Sequence, residues 1–201
     1  MQQTRYQHAK KTLQQAYKNV NPAYLSKQTR DEMNIQDDAF VYGEIDPQSL
    51  LNLIEIAKPK KNEVFYDLGS GSGRAAIAAA LCFDFAEVVG IEFLRPLYLL
   101  SQNQWSMIQA EQNTKNIKLS FTCGDYYDLD ISAADIVFFN ATACRGDKWE
   151  KILAKFKELP VGSRLILTSH RIQDVMFESL YEGLQLMSWG MNSAYVYRKV
   201  L

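Results

Sequence analysis

The chain has 201 residues, of which 47% are hydrophobic and 22% are charged, so it can form one sizeable core, is short for two, and is not disordered by default. The net charge is −1, and residues 31–201 have 16 basic against 23 acidic residues, which argues against a nucleic-acid groove across the whole surface. The longest apolar stretch, residues 75–83, is far shorter than the roughly 20 residues that span a bilayer, so we expect no membrane contact.

Residues 1–30 form a basic N-terminal arm, with six basic residues and no acidic one: Arg5, Lys10, Lys11, Lys18, Lys27 and Arg30. Two interpretations are open. The arm contacts the acidic surface of a partner, or it is an amphipathic helix that packs on the domain and keeps its charges in water. We expect a helical extension over residues 1–40 and a single domain over residues 41–201.

The first predicted helix of the domain begins at Asp46 and Pro47, a capping carboxylate followed by a proline at the first helical position. It ends before Pro59. Residues 63–69 form a short apolar run that ends in glycines, which indicates a buried parallel strand. An alanine-rich helix is predicted from about Gly73.

Four more apolar runs predict strands over residues 88–92, 117–123, 135–140 and 164–169. A long helix is predicted from Pro96, and another contains Trp149 and Phe156 and ends before Pro160. This alternation predicts an α/β fold, in which a doubly wound, Rossmann-like, mostly parallel sheet has helices on both faces.

The end of the chain departs from this alternation. A helix is predicted over residues 172–181, and strands over residues 184–189 and 194–200 with a connection at residues 190–193. So short a connection permits a hairpin but no parallel crossover, so the last strand is expected to be antiparallel. The predicted sheet has seven strands, of which five are parallel and two form a C-terminal hairpin.

Cysteine and histidine usage predicts neither disulfides nor metal. Cys82, Cys123 and Cys144 are odd in number and lack metal-ligand spacing, and the chain has only two histidines. Free thiols are typical of a reducing compartment, so we expect a cytoplasmic protein.

A glycine loop follows the first predicted strand, with the sequence Asp67-Leu68-Gly69-Ser70-Gly71-Ser72-Gly73. Ligands of open α/β sheets bind at this edge, where glycines let the backbone approach closely. A dinucleotide fingerprint from Gly69 or Gly71 needs a glycine at position 74 or 76, which hold Arg74 and Ala76. Alanine is tolerated at position 76, but the fingerprint would then begin at Gly71 and leave Gly69 unexplained.

The spacing acid-x-Gly-x-Gly-x-Gly instead resembles the first motif of the S-adenosylmethionine-dependent methyltransferases. The resemblance implies S-adenosylmethionine as the cofactor. Asp67 is then expected to face its amino group, Glu92 its ribose hydroxyls and Asp125 its adenine amino group. The implied cofactor contacts also include Gly69, Ser70, Gly71, Gly73, Phe93 and Tyr126.

Over about residues 40–170 the motifs look, in order, like those of the non-SET histone lysine methyltransferases, the disruptor-of-telomeric-silencing type. The matching segments are Val41-Tyr42-Gly43-Glu44, residues 65–71, Gly90-Ile91-Glu92, Gly124-Asp125 and residues 135–140. In that family the Tyr-Gly-Glu element folds over the cofactor, which implies that Tyr42 and Glu44 are cofactor-loop residues, followed by Ile45. The resemblance further implies that Tyr42 and Asn140 have catalytic positions and that Asn140 also contacts the cofactor.

The segment after the fourth predicted strand departs from that family, which has paired asparagines there. Only Asn140 is retained, and Ala141-Thr142-Ala143-Cys144 follows, so the small residues at 141 and 143 predict a wider acceptor channel. The segment lacks the prolines of nucleic-acid amino-methylating enzymes, and the chain has no Cys-Pro for cytosine methylation.

Cys144 is interpreted as a small buried residue, His170 as a loop histidine, and the aromatic residues Trp149, Trp189, Tyr195 and Tyr197 as packing.

The sequence therefore predicts a methyltransferase that acts on a lysine of a protein substrate, with nucleic acid as substrate disfavoured. Two alternatives remain open at this point: a small-molecule methyltransferase, which would share every cofactor residue, and a non-catalytic module that only binds S-adenosylmethionine. A cavity closed to macromolecules by residues 1–40 would favour the small-molecule alternative.

Overall fold

The computed structural model describes residues 2–37, 41–112, 114 and 116–201. The helices are α1 (Gln2–Ala16), α2 (Pro22–Glu32), α3 (Pro47–Ile56), α4 (Arg74–Cys82), α5 (Arg95–Glu111) and α6 (Asp147–Lys157). The strands are β1 (Val64–Leu68), β2 (Glu87–Glu92), β3 (Leu119–Cys123), β4 (Ile136–Phe139), β5 (Arg164–Thr168), β6 (Phe177–Met187) and β7 (Gly190–Lys199). Within this described part, no helix is both long and apolar enough to cross a membrane.

The seven strands form one sheet in the order β3-β2-β1-β4-β5-β7-β6. Strands β1 to β5 pair in parallel, and β7 lies antiparallel between β5 and β6. This confirms the predicted sheet of five parallel strands and a C-terminal hairpin. The strand order reverses between β1 and β4, so the carboxyl ends of these two strands border the crevice where such sheets bind ligands.

The sheet separates two hydrophobic cores, as expected when helices cover both faces. On one face, α3 and α4 pack against the sheet through Leu50, Leu53, Ile54, Ala76 and Ala79. On the other face, α6 packs against it through Ile152 and Phe156. Every residue of β4 and β5 is buried, which explains why these strands appear in the sequence as continuous apolar runs rather than alternating ones.

Two local sequence signals fix where α3 and α4 begin. The side chain of Asp46 accepts a hydrogen bond from the main-chain N–H of Ser49 at 3.0 Å, which caps α3 as predicted. At the start of α4, Gly73 has a φ of 81°, a left-handed conformation that favours glycine. The glycine loop can therefore turn directly from β1 into α4.

The N-terminal arm packs on the domain, in agreement with the second of the two interpretations of its charge pattern. Tyr6, Ala9 and Leu13 of α1, together with Tyr17 directly after it, pack against buried residues of α3, α4 and α5. The lysines of α1 and α2 remain exposed. The predicted boundary at residue 40 adjoins residues 38–40, which lie outside the described residues, and it stays a prediction.

Two predictions for the end of the chain are wrong. The helix predicted over residues 172–181 is absent, because residues 171–176 are irregular and residues 177–187 form β6. The hairpin connection is also displaced: Met187 pairs with Gly190, so the turn is Ser188-Trp189 and not residues 190–193. The described strand β6 has a register shift between Ser179 and Tyr181, which breaks the simple alternation that would have indicated a strand.

Candidate active site

A cavity of about 410 Å³ opens at the carboxyl ends of β1, β2 and β4, which is within the size range of small-molecule sites. The predicted site residues that line it are Tyr42, Glu44, Asp67, Gly69, Ser70, Gly71, Glu92, Phe93, Asp125, Tyr126 and Asn140. The fold therefore brings together side chains that are distributed over 99 positions of the sequence, from residue 42 to residue 140. Their individual contacts with a cofactor stay predictions.

Gly73 is the predicted site residue that does not line this cavity. A Cβ atom at Gly73 would lie 2.6 Å from Cβ of Ser101 and 2.7 Å from Cζ of Phe121. This glycine therefore permits close packing of α4 against α5 and β3. Gly71, in contrast, faces the cavity, has a φ of 54°, and lies directly beneath the ring of Tyr42.

Asp67, at the carboxyl end of β1, is 1% exposed. Within the described part of the chain, its Oδ2 atom has no hydrogen-bond partner. Burial, with the charges of the neighbouring Glu92 and Glu44, raises the pKa of Asp67 to about 8, although the N–H of Ala76 acts in the opposite direction. A buried carboxylate that lacks a partner is costly, so this position fits a cationic donor group of a ligand.

Glu92, at the carboxyl end of β2, connects that strand to the glycine loop. Its Oε2 accepts the N–H of Gly71 at 2.7 Å, and its Oε1 accepts the N–H of Leu94 at 2.8 Å. Burial raises the pKa of Glu92, while these N–H groups act in the opposite direction. Each carboxylate oxygen can accept a second hydrogen bond, so Glu92 can still bind two hydroxyl groups of a ligand.

Residues 41–46 form a loop over the cavity, here called the 41–46 loop. The hydroxyl of Tyr42 donates to Oε1 of Glu44. The same oxygen accepts the hydroxyl of Ser72 at 2.6 Å, and Oε2 of Glu44 pairs with Arg74 at 2.6 Å. Glu44 therefore joins the 41–46 loop to the glycine loop and to the first residue of α4.

The hairpin of β6 and β7 holds the other side of the 41–46 loop. The N–H of Asp46 donates to the carbonyl of Leu186 at 2.9 Å, and the N–H of Ser188 donates to the carbonyl of Glu44 at 2.8 Å. The ring of Trp189 lies against Gly43, where a Cβ atom would approach it to 2.1 Å. Trp189 is 46% exposed, so its packing is on this loop and not in the core.

Asn140, directly after β4, contacts the 41–46 loop from the opposite side. Its Nδ2 donates to the carbonyl of Gly43 at 3.0 Å. Its Oδ1 accepts the hydroxyls of Thr168 at 2.6 Å and Thr142 at 2.9 Å. With both ends of the amide engaged, the orientation of this side chain is fixed.

The prediction that small residues at 141 and 143 widen the acceptor channel is wrong. Ala141 is fully buried, and neither Ala141 nor Ala143 lines the cavity that contains Asn140. The short Ala141 side chain instead fits the core between β4 and α6. The width of the cavity is therefore set by other residues.

The interpretations of Cys144 and His170 agree with the structure. Cys144 is buried, and its burial raises the pKa of the thiol, which keeps it protonated and unreactive. His170 stacks on Trp149 with a centroid distance of 4.4 Å, and neither residue lines the cavity. Among the described residues, no group of three or more His, Cys, Asp or Glu could hold a metal ion.

Several residues that line the cavity were not identified from the sequence. The polar ones among them are Ser26, Asp37, Arg74, Tyr127, Lys148 and Lys151. Arg74 directly follows the last glycine of the loop, which is a signal that could have identified it. Ser26 and Asp37 belong to the N-terminal segment, and its position against the cavity depends on tertiary packing that no local pattern shows.

The family described as Histone methylation protein DOT1 matches residues 34–182, which is well over half of the chain. The chain belongs to this family. The match includes every residue that was predicted to bind the cofactor, and it agrees with the resemblance found in the motifs. Members of the family are methyltransferases, so the cavity is the candidate active site of a methyltransferase.

Related proteins carry consistent names. The chain is 29% identical over 121 residues to a protein-lysine N-methyltransferase of Saccharolobus islandicus, a match that covers 60% of this chain and 70% of that protein. It is 23% identical over 169 residues to the histone-lysine N-methyltransferase, H3 lysine-79 specific, of Candida glabrata. That second match covers 77% of this chain and 26% of the fungal protein, so this chain spans about a quarter of the fungal enzyme.

Solved structures support the fold. TrmN from Thermus thermophilus superimposes with a TM-score of 0.60 at 18% identity, over 77% of this chain and 49% of that chain. At such low identity the similarity shows the architecture, while the reaction has to be argued from the residues of the site.

Proposed function

We propose that this protein transfers the methyl group of S-adenosylmethionine to the side-chain amine of a lysine in another protein. Its family and its archaeal relative support the reaction class. The observation that carries the proposal is the carboxylate of Asp67, which is buried at the switch point of the sheet beside Glu92 with one oxygen lacking a partner. An amino acid joined to a nucleoside supplies the cation and the hydroxyl groups that these two acids require.

The residues of the cavity fit this cofactor. Asp67 would accept the methionine ammonium, and Glu92 would accept the ribose hydroxyls through its two oxygens. Asp125 is half-buried after β3 and would accept the adenine amino group, with the ring of Tyr126 beside it. When bound, S-adenosylmethionine supplies a methyl group that a neutral amine can take directly, leaving a neutral thioether.

The protein contributes positioning more than acid-base chemistry. Tyr42 and Glu44 close the 41–46 loop over the cavity, and Asn140 holds this loop through the carbonyl of Gly43. Burial, together with Glu44, raises the pKa of Tyr42, so its phenol remains a hydrogen-bond donor at neutral pH. A closed, partly apolar cavity excludes water and favours the neutral form of an approaching amine, which alone has a lone pair for the methyl group.

The charges at the cavity suggest the surroundings of the acceptor lysine. Lys148 and Lys151 of α6 line the cavity, and Lys27 of α2 is exposed near Ser26, which also lines it. Lys148 is paired with Asp37, so the charges of Lys27 and Lys151 are the ones that favour a lysine among acidic residues. The exposed basic face of the N-terminal arm would contact the same acidic surface of the substrate protein. A cytoplasmic location, expected from the free cysteines, belongs to the same proposal.

A small-molecule substrate is the second candidate, and a specific observation favours it. Ser26 and Asp37 from the N-terminal segment line the cavity, and Asp37 pairs with Lys148 across it. The N-terminal segment therefore forms part of the cavity wall, as the small-molecule alternative requires.

Methyl-labelled S-adenosylmethionine distinguishes these candidates. The purified protein is incubated with a lysate and, separately, with its low-molecular-weight fraction, and Asp67→Ala serves as the inactive control. We expect label on a protein, with mass spectrometry locating it on a lysine. Label confined to small molecules would support the second candidate. Cofactor binding without any transfer would contradict both and leave a non-catalytic binding module.

A further inference from the structure

Tyr17 connects α1 to the glycine loop. Its side chain is 5% exposed, and its hydroxyl donates to the main-chain carbonyl of Ser72 at 2.7 Å across 55 positions of sequence. Ser72 lies between Gly71 and Gly73, so this hydrogen bond holds the loop at the point where it turns into α4. The contact comes from a residue that directly follows α1 and precedes residues 34–182, the part of the chain that matches the family.

The ring of Tyr17 makes a second contact with the same site. The guanidinium of Arg74 lies over it, 4.4 Å from the ring centroid, in the range of a cation–π interaction. Arg74 in turn pairs with Glu44 at 2.6 Å. One buried side chain directly after α1 therefore supports both the glycine loop and the ion pair that holds the 41–46 loop.

The protonation state of Tyr17 suits this arrangement. Burial raises the pKa of its phenol, and the charge of Glu44 raises it further, while Arg74 and the bond to Ser72 lower it. The hydroxyl therefore remains a donor at neutral pH, and the carbonyl of Ser72 keeps its partner.

A second cavity, of about 360 Å³, offers space into which Arg74 could move if the ring of Tyr17 were removed. This cavity lies between α1 and α3 and is lined by both Tyr17 and Arg74, and Arg74 also lines the candidate active site. Arg74 therefore forms part of the wall between the two cavities. Without the ring beneath it, Arg74 could turn into the second cavity and release Glu44.

We propose that Tyr17 is a positioning residue for cofactor binding, which makes the N-terminal segment directly after α1 a working part of the active site. It acts through Ser72 on the glycine loop and through Arg74 and Glu44 on the 41–46 loop. The inference rests on the proposed function, because it assumes that S-adenosylmethionine binds in this cavity.

The test compares Tyr17→Phe, which removes only the hydroxyl, with Tyr17→Leu, which removes the ring as well. We expect Tyr17→Phe to raise the dissociation constant of S-adenosylmethionine about three- to tenfold, since one hydrogen bond to a buried carbonyl is lost. Tyr17→Leu should raise it about threefold or more beyond that, since the cation–π contact is also lost. Calorimetry measures the dissociation constant of S-adenosylmethionine for both variants. The KM for the methyl acceptor should not change in either.

Hydrogen exchange of the protein without cofactor gives a readout that does not depend on activity. In Tyr17→Leu the amides of residues 41–46 and 69–74 should exchange faster than in the wild type, because the loops lose their common support. In Tyr17→Phe the increase should be confined mainly to residues 69–74.

Tyr6→Phe is the matched control, because Tyr6 is buried on α1, the helix that Tyr17 directly follows, and contacts Phe83 at a centroid distance of 6.1 Å, away from the glycine loop. It should leave the dissociation constant unchanged. Equal losses of thermal stability in Tyr6→Phe and Tyr17→Phe, with cofactor affinity unchanged in both, would overturn the inference. Failure of the wild type to bind S-adenosylmethionine would instead refute the proposed function.

Discussion

The amide nitrogen of Asn140 lies 3.0 Å from the main-chain oxygen of Gly43, although 97 positions of sequence separate the two residues. The contact joins the end of β4 to the 41–46 loop, so the part of the site nearest the expected methyl acceptor also holds the cover of the cofactor cavity. Thr142 and Thr168 fix the amide that makes this contact. Asn140 therefore contributes to closure of the loop, and we expect the same side chain to align the acceptor.

Asn140→Ala should weaken cofactor binding about three- to tenfold, since the carbonyl of Gly43 loses its donor. Turnover should fall further, because the acceptor side of the cavity loses its orientation as well. Calorimetry and single-turnover kinetics measure the two effects separately. Asn52→Ala, on the exposed side of α3, is the control. Wild-type turnover in Asn140→Ala would contradict the assigned role.

Asp67→Ala and Glu92→Ala should each abolish measurable binding of S-adenosylmethionine. The first removes the acceptor for the ammonium, and the second removes the acceptor for the ribose and the link to the glycine loop. Asp128→Asn, an exposed acid three residues after Asp125, should bind normally. Tight binding in both alanine variants, measured by calorimetry, would refute the site assignment.

Cofactor affinity should rise with pH between 6 and 8. The pKa of Asp67 is about 8 without cofactor, because burial, Glu92 and Glu44 all disfavour its charge. A bound cation favours the carboxylate, so binding below this pKa must release a proton, and affinity should gain up to about tenfold per pH unit before it levels off above pH 8. Calorimetry in buffers of different ionisation enthalpy counts the released proton. Affinity independent of pH over this range would contradict the pKa assignment.

Gly71→Ala and Gly73→Ala should fail in different ways. A Cβ atom at position 71 would lie 2.9 Å from Cε2 of Tyr42, so we expect a folded protein with at least tenfold weaker cofactor binding. A Cβ atom at position 73 would lie 2.6 Å from Cβ of Ser101, so we expect a loss of about 1–3 kcal/mol in the free energy of unfolding. Calorimetry measures the binding defect, and denaturant unfolding measures the loss of stability. The same defect in both variants would contradict the different roles assigned to the two glycines.

The parallel strands and the glycine loop could be predicted because local signals determine them. The run at residues 63–69 contains β1, and the cap at Asp46 begins α3 at the expected position. Burial on both faces of the sheet requires continuous apolar runs, and a sharp turn with positive φ requires glycine. The sequence therefore also indicated which acids meet at the carboxyl ends of β1 to β3.

The parts that could not be predicted depend on contacts between distant residues. The residues of β6 combine a register shift at Ser179 with an exposed edge, so no alternating pattern separated this strand from a helix. Trp189 is interpreted from the sequence as packing, and no sequence motif includes Tyr17. Only the folded chain shows that Tyr17 supports Ser72 and that Trp189 covers Gly43.

The hairpin that pairs with the 41–46 loop has a consequence for protein synthesis. Glu44 and Ser188 are joined by a hydrogen bond although they are 144 positions apart. The 41–46 loop therefore leaves the ribosome long before its partner strands are translated. The glycine bend and the first strands can assemble early, but the cover of the cofactor cavity has nothing to pair with until β6 and β7 emerge. A nascent chain of this protein should therefore acquire cofactor affinity only once β6 and β7 have emerged from the ribosome.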